Sequence, residues 1–346
     1  MLSNQTISKE KINIVYTLDD GFAMQAAVSL VSLFSNNTDL RFHIFIVSDH
    51  ICLENIERLK GIAKAYHQRM DIVHMPDLKE LGGVDFATNG WGKVTYCRLF
   101  LASLLPDDIE KIIYIDSDTL IVNDILGLVE ILNSKEFDGE YLGACLDSKA
   151  TFKRFHSFKR SEKYINTGLL LVNLKRWRQD KIEQKLLHEV HRRRGKSIDT
   201  DQSYINCLLV NKIMTLPVKY NVMSLYYTDY KDYLKKSGYK RDEIYSEGEL
   251  KDAVEHPVII HFAGDRGYRP WYMDCKHGRK DEWFSYLKET PWAFFVPSEK
   301  APLEAHSFII DAKRFVGKHL IKNRLAARVY VRYKYGFFTK IYREWN

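Results

Sequence analysis

The chain has no long apolar run: its longest mainly hydrophobic segment, Phe22 to Phe34, is broken by Gln25, Ser29 and Ser32, short of the roughly 20 residues a membrane-spanning helix needs. No transmembrane helix is expected. Met1 to Lys11 is polar, with neither an apolar core nor a small-residue cleavage site, so the sequence reads as cytoplasmic, without a secretory signal. Cysteine is scarce. Cys52, Cys97, Cys145, Cys207 and Cys275 are an odd, scattered five with no Cys-x-x-Cys pair, which argues against a zinc site or redox centre and for reduced packing residues. There is no Gly-x-Gly-x-x-Gly and no Walker lysine motif, so a dinucleotide-binding dehydrogenase and a P-loop enzyme are disfavoured. Internal repeats and low-complexity segments are absent too.

What is present is a globular balance, 45% hydrophobic and 28% charged in 346 residues, which excludes disordered and fibrous classes and fits one large or two medium domains. The formal charge is +7, but residues 301–346 hold ten Lys or Arg against three acids, leaving 42 of each sign in residues 1–300. The body is electrically balanced and the excess sits in the tail. A nucleic-acid-binding body would carry a basic stripe of its own, so no nucleic-acid partner is expected.

Hydrophobic periodicity predicts alternating strands and helices: strand at 12–16, helix at 22–34, strand at 42–47, amphipathic helix at 53–66 and strand at 70–74, a doubly wound, mostly parallel α/β sheet. Glycine-rich residues 82–92 read as a loop, Val94 to Leu105 as a helix stopped by Pro106, and Lys111 to Ile115 as a buried strand. Farther on, 141–146, 169–172 and 258–262 read as strands, 180–194 and 201–210 as helices, and the Tyr-, Lys- and Asp-rich stretch 223–250 as an irregular excursion.

Asp116-Ser117-Asp118 follows the strand directly, and open α/β sheets bind ligands at the carboxyl ends of their strands. Two carboxylates there suit a hard divalent cation that keeps open positions for phosphate; a turn or helix cap accounts for the same residues. His261 closes another apolar strand and is either a third ligand, suited to Mn2+, or a core histidine. Asp19-Asp20-Gly21, between the first strand and the next helix, suits a cap or ligand contact equally.

Taken in order, Thr17-Leu-Asp-Asp, Thr95-Tyr-Cys-Arg-Leu, Tyr114-Ile-Asp-Ser-Asp, Asn166-Thr-Gly, Val172-Asn-Leu-Lys-Arg-Trp, Asp201-Gln and His261-Phe-Ala-Gly resemble glycosyltransferase family 8, the retaining nucleotide-sugar transferases that include bacterial lipopolysaccharide galactosyl- and glucosyltransferases. The likeness spans about residues 11–275. It implies a GT-A nucleotide-sugar-binding fold with Asp116, Asp118 and His261 as manganese ligands, Mg2+ being the alternative ion. Thr17, Asp19 and Phe22 match positions that hold the uracil, Phe22 by stacking. Arg98, Ser117 and Gly264 match donor contacts. Asn166, Asp201 and Gln202 match residues lining the transferred sugar, and Asp147 matches a position near donor and acceptor.

Two positions depart from that pattern. Gly264-Asp-Arg-Gly-Tyr-Arg-Pro-Trp is two residues longer than the usual segment after the metal histidine and carries Arg269 in place of Lys, with Arg266 a rival for the diphosphate. Gly21 stands where several relatives have Asn.

The resemblance therefore implies a manganese-dependent hexosyltransferase moving galactose or glucose from a UDP-sugar to a glycan or glycolipid such as lipopolysaccharide. A metal-dependent sugar nucleotidyltransferase is the competing reading. Because an amide is a poor nucleophile, Gln202 favours front-face transfer, with Asp201 orienting the sugar and Asp147 in reserve as the carboxylate. Residues 1–300 are expected to form the catalytic domain. Residues 301–346, with nine aromatics among ten basic residues, are expected to be an amphipathic segment that attaches the enzyme peripherally to the anionic inner face of the plasma membrane.

Overall fold

The computed structural model describes residues 11–88, 92–147, 156, 158–159, 161–228, 245–264 and 266–302. A seven-stranded sheet forms the centre. Its strands are β1 (Ile12–Leu18), β2 (Phe42–Ser48), β3 (Arg69–His74), β4 (Lys111–Ile115), β6 (Leu142–Leu146), β7 (Ile165–Asn173) and β8 (Ile213–Thr215), in the order β3-β2-β1-β4-β7-β6-β8. β1 pairs in parallel with β2 and β4, and β2 with β3, while β7 runs antiparallel between β4 and β6. Strand order reverses beside β1, so the crevice between the carboxyl ends of β1 and β4 is the switch point at which such sheets take ligands.

A second sheet holds β5 (Thr119–Ile121), β9 (Val222–Met223) and β10 (Ile259–His261), with β10 central. The 258–262 strand thus belongs to this small sheet rather than to the main one. The helix Ala23–Ser35 joins the two sheets, and its interrupting serines are the reason. Ser29 Oγ lies 3.1 Å from Tyr16 Oη of β1 and 2.9 Å from Thr119 Oγ1 of β5, and Ser32 Oγ accepts from Ile121 N at 3.0 Å. A helix buried on nearly every side satisfies its polar groups against both sheets.

Two further expectations give way and a third is trimmed at its ends. Val94 to Leu105 is a 3-10 stretch, Lys93–Leu99, followed by a single α-turn, Leu101–Leu104; β-branched Val94 and Thr95 disfavour the α form, and Thr95 Oγ1 donates to Gly92 O at 3.0 Å. The helix expected over 180–194 runs from Ile182 to Arg192, because Lys181 at φ 53° separates it from Leu174–Gln179. Part of the 223–250 stretch is ordered: Ser246 and Glu249 form a capping box that starts the helix Glu247–Glu255. Residues 229–244 of that stretch, most of 152–160 and the tail beyond residue 302 lie outside the described residues.

All five cysteines are free thiols, four of them buried. Among the described residues no helix is long and apolar enough to cross a membrane.

Candidate active site

Where β4 ends, Asp116 N donates to Gly168 O of β7 at 2.8 Å, so the chain turns through Asp116-Ser-Asp118 into β5. β5 pairs with β10 so that Thr119 faces His261, and Phe262 N donates to Asp118 O at 2.9 Å. This ladder brings residues 143 positions apart together: His261 Nε2 lies 3.1 Å from Asp118 Oδ1 and 3.7 Å from Asp116 Oδ2. One ligand atom from each of the three lies within 4.8 Å of the others. Burial pushes the Asp118 carboxyl up, but His261 and Arg269 beside it outweigh that and hold it below its ordinary range. Burial likewise pushes the His261 imidazole down, and the two carboxylates reverse the shift upward.

The donor set fits a divalent cation. Two carboxylates and an imidazole match Mn2+ or Mg2+ better than a thiophilic ion. Space is kept for the ring by Gly168, where a Cβ would stand 2.7 Å from His261 Nδ1 and closer still to Cε1. Asp116 turns its other oxygen inward. Its Oδ1 accepts from Tyr114 Oη at 2.6 Å and from Arg98.

Arg98 lies under the site, 5% exposed, binding Asp116 with one nitrogen and Asp201 Oδ2 with the other at 2.9 Å, its guanidinium 4.8 Å from the Tyr114 ring centroid. Arg98 is carried by the 3-10 stretch Lys93–Leu99. Asp201 is 1% exposed, and its Oδ1 accepts from Thr200 Oγ1 at 3.0 Å. Both its oxygens thus face protein donors. Burial pushes its carboxyl up, with Arg98 opposing.

Gln202 is fixed at both ends of its amide. Its Oε1 accepts from Thr167 N at 3.0 Å and Asn166 Nδ2 at 3.3 Å, while Nε2 donates to Asp199 Oδ2 at 2.6 Å and Asp147 Oδ2 at 3.1 Å. Asn166 Nδ2 also reaches Asp147 Oδ2 at 3.2 Å. The helix Thr200–Leu208 that supplies Asp201 and Gln202 begins with Thr200 at φ 37°, a strained conformation for a β-branched residue that aims both side chains under the sheet end.

At the end of β1, Thr17 Oγ1 meets Tyr114 Oη at 2.6 Å and Thr17 O accepts from Ser117 Oγ at 3.0 Å. Asp20 serves the start of the helix Leu53–Ala65, its Oδ1 accepting from Cys52 N and Asn55 Nδ2 at 2.8 and 2.9 Å. Asp19 makes no side-chain capping bond and stays half-buried at the strand end. Phe22 packs edge-on against Trp271, centroids 6.3 Å apart. Gly264 takes φ 94°, which favours glycine, and the chain returns so that buried Arg269 has NH2 3.8 Å from Asp118 Oδ2 and Nε donating to Phe262 O at 3.3 Å. Arg266 is exposed.

Four participants escaped the sequence reading. Tyr114 and Thr167 stand inside quoted motifs, Tyr114 read as an apolar strand residue and Thr167 given no role; Asp199 and Asn221 give no signal at all. Asn221 accepts from or donates to both His261 and Asn166, at 2.9 Å each.

Known proteins resemble this chain in sequence and fold. The chain is similar to general stress protein A of Bacillus subtilis (24% identity over 292 residues, 82% of this chain and 95% of the relative) and to the lipopolysaccharide 1,3-galactosyltransferase of Salmonella typhimurium (25% identity over 331 residues, 91% and 87%). Its fold matches a crystal structure of the galactosyltransferase LgtC in complex with donor and acceptor sugar analogues, with a TM-score of 0.66 and 20% identity, covering 83% of this chain and 98% of that one. This is the GT-A fold. The family model for glycosyl transferase family 8 matches residues 13–275, so the chain belongs to that family and is a glycosyltransferase.

Proposed function

We propose that the enzyme transfers galactose or glucose from a UDP-sugar to a saccharide or glycolipid acceptor with retention of configuration, using Mn2+. The observation that carries this reading is the gathering of Asp116, Asp118 and His261 at the switch point, joined through Asn221 to the Asn166, Gln202 and Asp147 cluster. The lipopolysaccharide galactosyltransferase among the relatives supports a hexose donor and a glycolipid acceptor.

When bound by the three ligands, Mn2+ supplies charge neutralisation for the diphosphate leaving group. The chain's own residues do the rest. Asp19 and Thr17 at the end of β1 receive the uridine beside Phe22. Arg269, buried and near Asp118, is the side chain placed to clamp the diphosphate bidentately, and exposed Arg266 is the weaker rival. Arg98, anchored on Asp116 and Asp201, fixes the floor beneath both half-sites. Gln202 is too tightly hydrogen-bonded to swing and too weak a base to act as nucleophile, so it orients and supports the electron-poor sugar, which favours front-face attack. Asp147, facing Asn166 and the Gln202 amide, is the carboxylate placed beside the transferred sugar. Residues 1–300 form the catalytic unit in this reading, and residues 301–346 bring it to an anionic membrane surface.

Incubating the protein with UDP-galactose and UDP-glucose, with and without Mn2+, tests this function. Slow Mn2+-dependent release of UDP from one donor is the expected result. No release from either, together with consumption of UTP and a sugar phosphate, establishes the nucleotidyltransferase instead.

A further inference from the structure

Asn221 follows the 3-10 turn Val218–Tyr220, is 1% exposed, and precedes β9, whose parallel pairing with β10 sets Met223 opposite His261. Its amide lies between the metal histidine and the sugar-side asparagine, and backbone geometry fixes which way it points. Gly168 N–H can only donate, and it points at Asn166 Oδ1 at 2.9 Å. Asn166 therefore turns its oxygen that way, and Asn221, 2.9 Å from the same oxygen, must present its nitrogen. The Asn221 oxygen then faces His261 Nδ1 at 2.9 Å. An oxygen acceptor there places a proton on Nδ1, which leaves Nε2 turned toward Asp116 and Asp118.

We propose that Asn221 is a positioning residue with two duties: it sets the tautomer and ring orientation of His261 for the divalent cation, and it holds Asn166 in register in the sugar pocket. The inference rests on the function proposed above. Ligating histidines take their tautomer and orientation from the hydrogen bond at the other ring nitrogen, and losing such a partner costs about 10- to 100-fold in metal affinity. Here that partner also touches the neighbouring half-site, so metal and sugar positioning share one amide.

The two duties separate by substitution. In Asn221→Asp a carboxylate oxygen still accepts from Nδ1–H, but the donor to Asn166 Oδ1 is lost, leaving that oxygen Gly168 N–H alone. In Asn221→Ala both bonds are lost. Mn2+ affinity is measured by electron paramagnetic resonance of free Mn2+ in the presence of UDP, beside Mn2+-dependent UDP-sugar hydrolysis and a melting curve. Asn221→Ala is expected to bind Mn2+ about 10- to 100-fold more weakly, and Asn221→Asp to stay within about threefold of wild type while hydrolysing at least about tenfold more slowly. Wild-type affinity in Asn221→Ala, or an equal loss of affinity in the two variants, overturns the proposal. If Asn221→Ala does not fold, the aspartate variant decides alone: retained affinity with slowed hydrolysis supports the proposal and lost affinity overturns it. A wild-type protein that binds no Mn2+ with UDP removes the proposed function itself, a result distinct from any difference between variants.

Discussion

Replacing Gly168 with alanine is the sharpest test of the site geometry. An added Cβ would stand 2.7 Å from His261 Nδ1, nearer still to Cε1, and 3.0 Å from Asn166 Oδ1. Ordinary carbon–nitrogen contact is about 3.4 Å or more, so the ring must retreat by at least about 0.7 Å, several times the roughly 0.2 Å tolerance of a metal–ligand distance. The ring has little room, because Asn221 Oδ1 and Asp118 Oδ1 hold it at 2.9 and 3.1 Å. The expected outcome is a loss of Mn2+ affinity of about 100-fold or more as one of three ligands leaves, with an overpacking cost of about 1–3 kcal/mol in stability. Titration of Mn2+ in the presence of UDP, read by electron paramagnetic resonance, measures the first effect, and urea unfolding measures the second. Gly248→Ala is the control. Nothing lies within 4 Å of its added Cβ in the helix Glu247–Glu255, so stability should rise by up to about 1 kcal/mol with Mn2+ binding unchanged. Wild-type Mn2+ affinity in Gly168→Ala would refute the placement of His261 as a ligand.

The remaining predictions concern catalysis, acid stability and the tail. Gln202→Ala should leave UDP affinity nearly intact and lower kcat at least about tenfold; a fall confined to donor affinity contradicts the transition-state role. His277 is buried, accepts from Arg279 N at Nδ1 at 3.1 Å, and has its pKa lowered by burial, with Arg279 adding to the effect, from 6.5 to about 4. Above pH 6.5 neither folded nor unfolded chain protonates it; between pH 6.5 and 4 the unfolded chain takes the proton first, so stability should fall by up to about 3 kcal/mol across that window. Urea unfolding of His277→Gln should show a shallower decline, with His156 and His43, which burial also pushes down, among the contributors to what remains, and parallel curves for the two proteins refute the assignment. Removing residues 301–346 should free the enzyme from anionic vesicles while Mn2+-dependent UDP-sugar hydrolysis persists; equal sedimentation of full-length and truncated proteins with such vesicles refutes a membrane role for the tail.

Local signals were legible wherever a single element carried them. β1, β2 and the helix Ala23–Ser35 follow apolar spacing within a residue or two, and Asp116 and Asp118 were readable as ligand candidates because an apolar run delivers them at its end. The failures share a cause. Arg98 is held by residues 18 and 103 positions away, and no local period records such a pairing, so the segment around it looked helical. Asn221 lies between His261 and Asn166, 40 and 55 positions away, and a buried asparagine has no pattern of its own. The capping box at Ser246 and Glu249 was visible in principle but lay in a stretch whose Tyr, Lys and Asp content hid the helix behind it.

The charges at the site also bear on the order of binding. Among the described residues, Asp116, Asp118 and Asp201 face only Arg98 and Arg269 as permanent cations within their cluster, so with His261 in the neutral form that ligates a metal the group carries an excess of one negative charge. A nucleotide-sugar diphosphate approaching that group meets like charge in a low-dielectric crevice, where repulsion is far stronger than in water. A bound divalent cation changes the excess to one positive charge, and the same crevice then attracts the diphosphate. Arg98 makes this balance possible, since without it two largely buried carboxylates would face each other unpaired, at a cost of about 3–5 kcal/mol. In the proposed function, the arginine that ties the metal side to the sugar side therefore also sets the charge that makes donor binding depend on the metal.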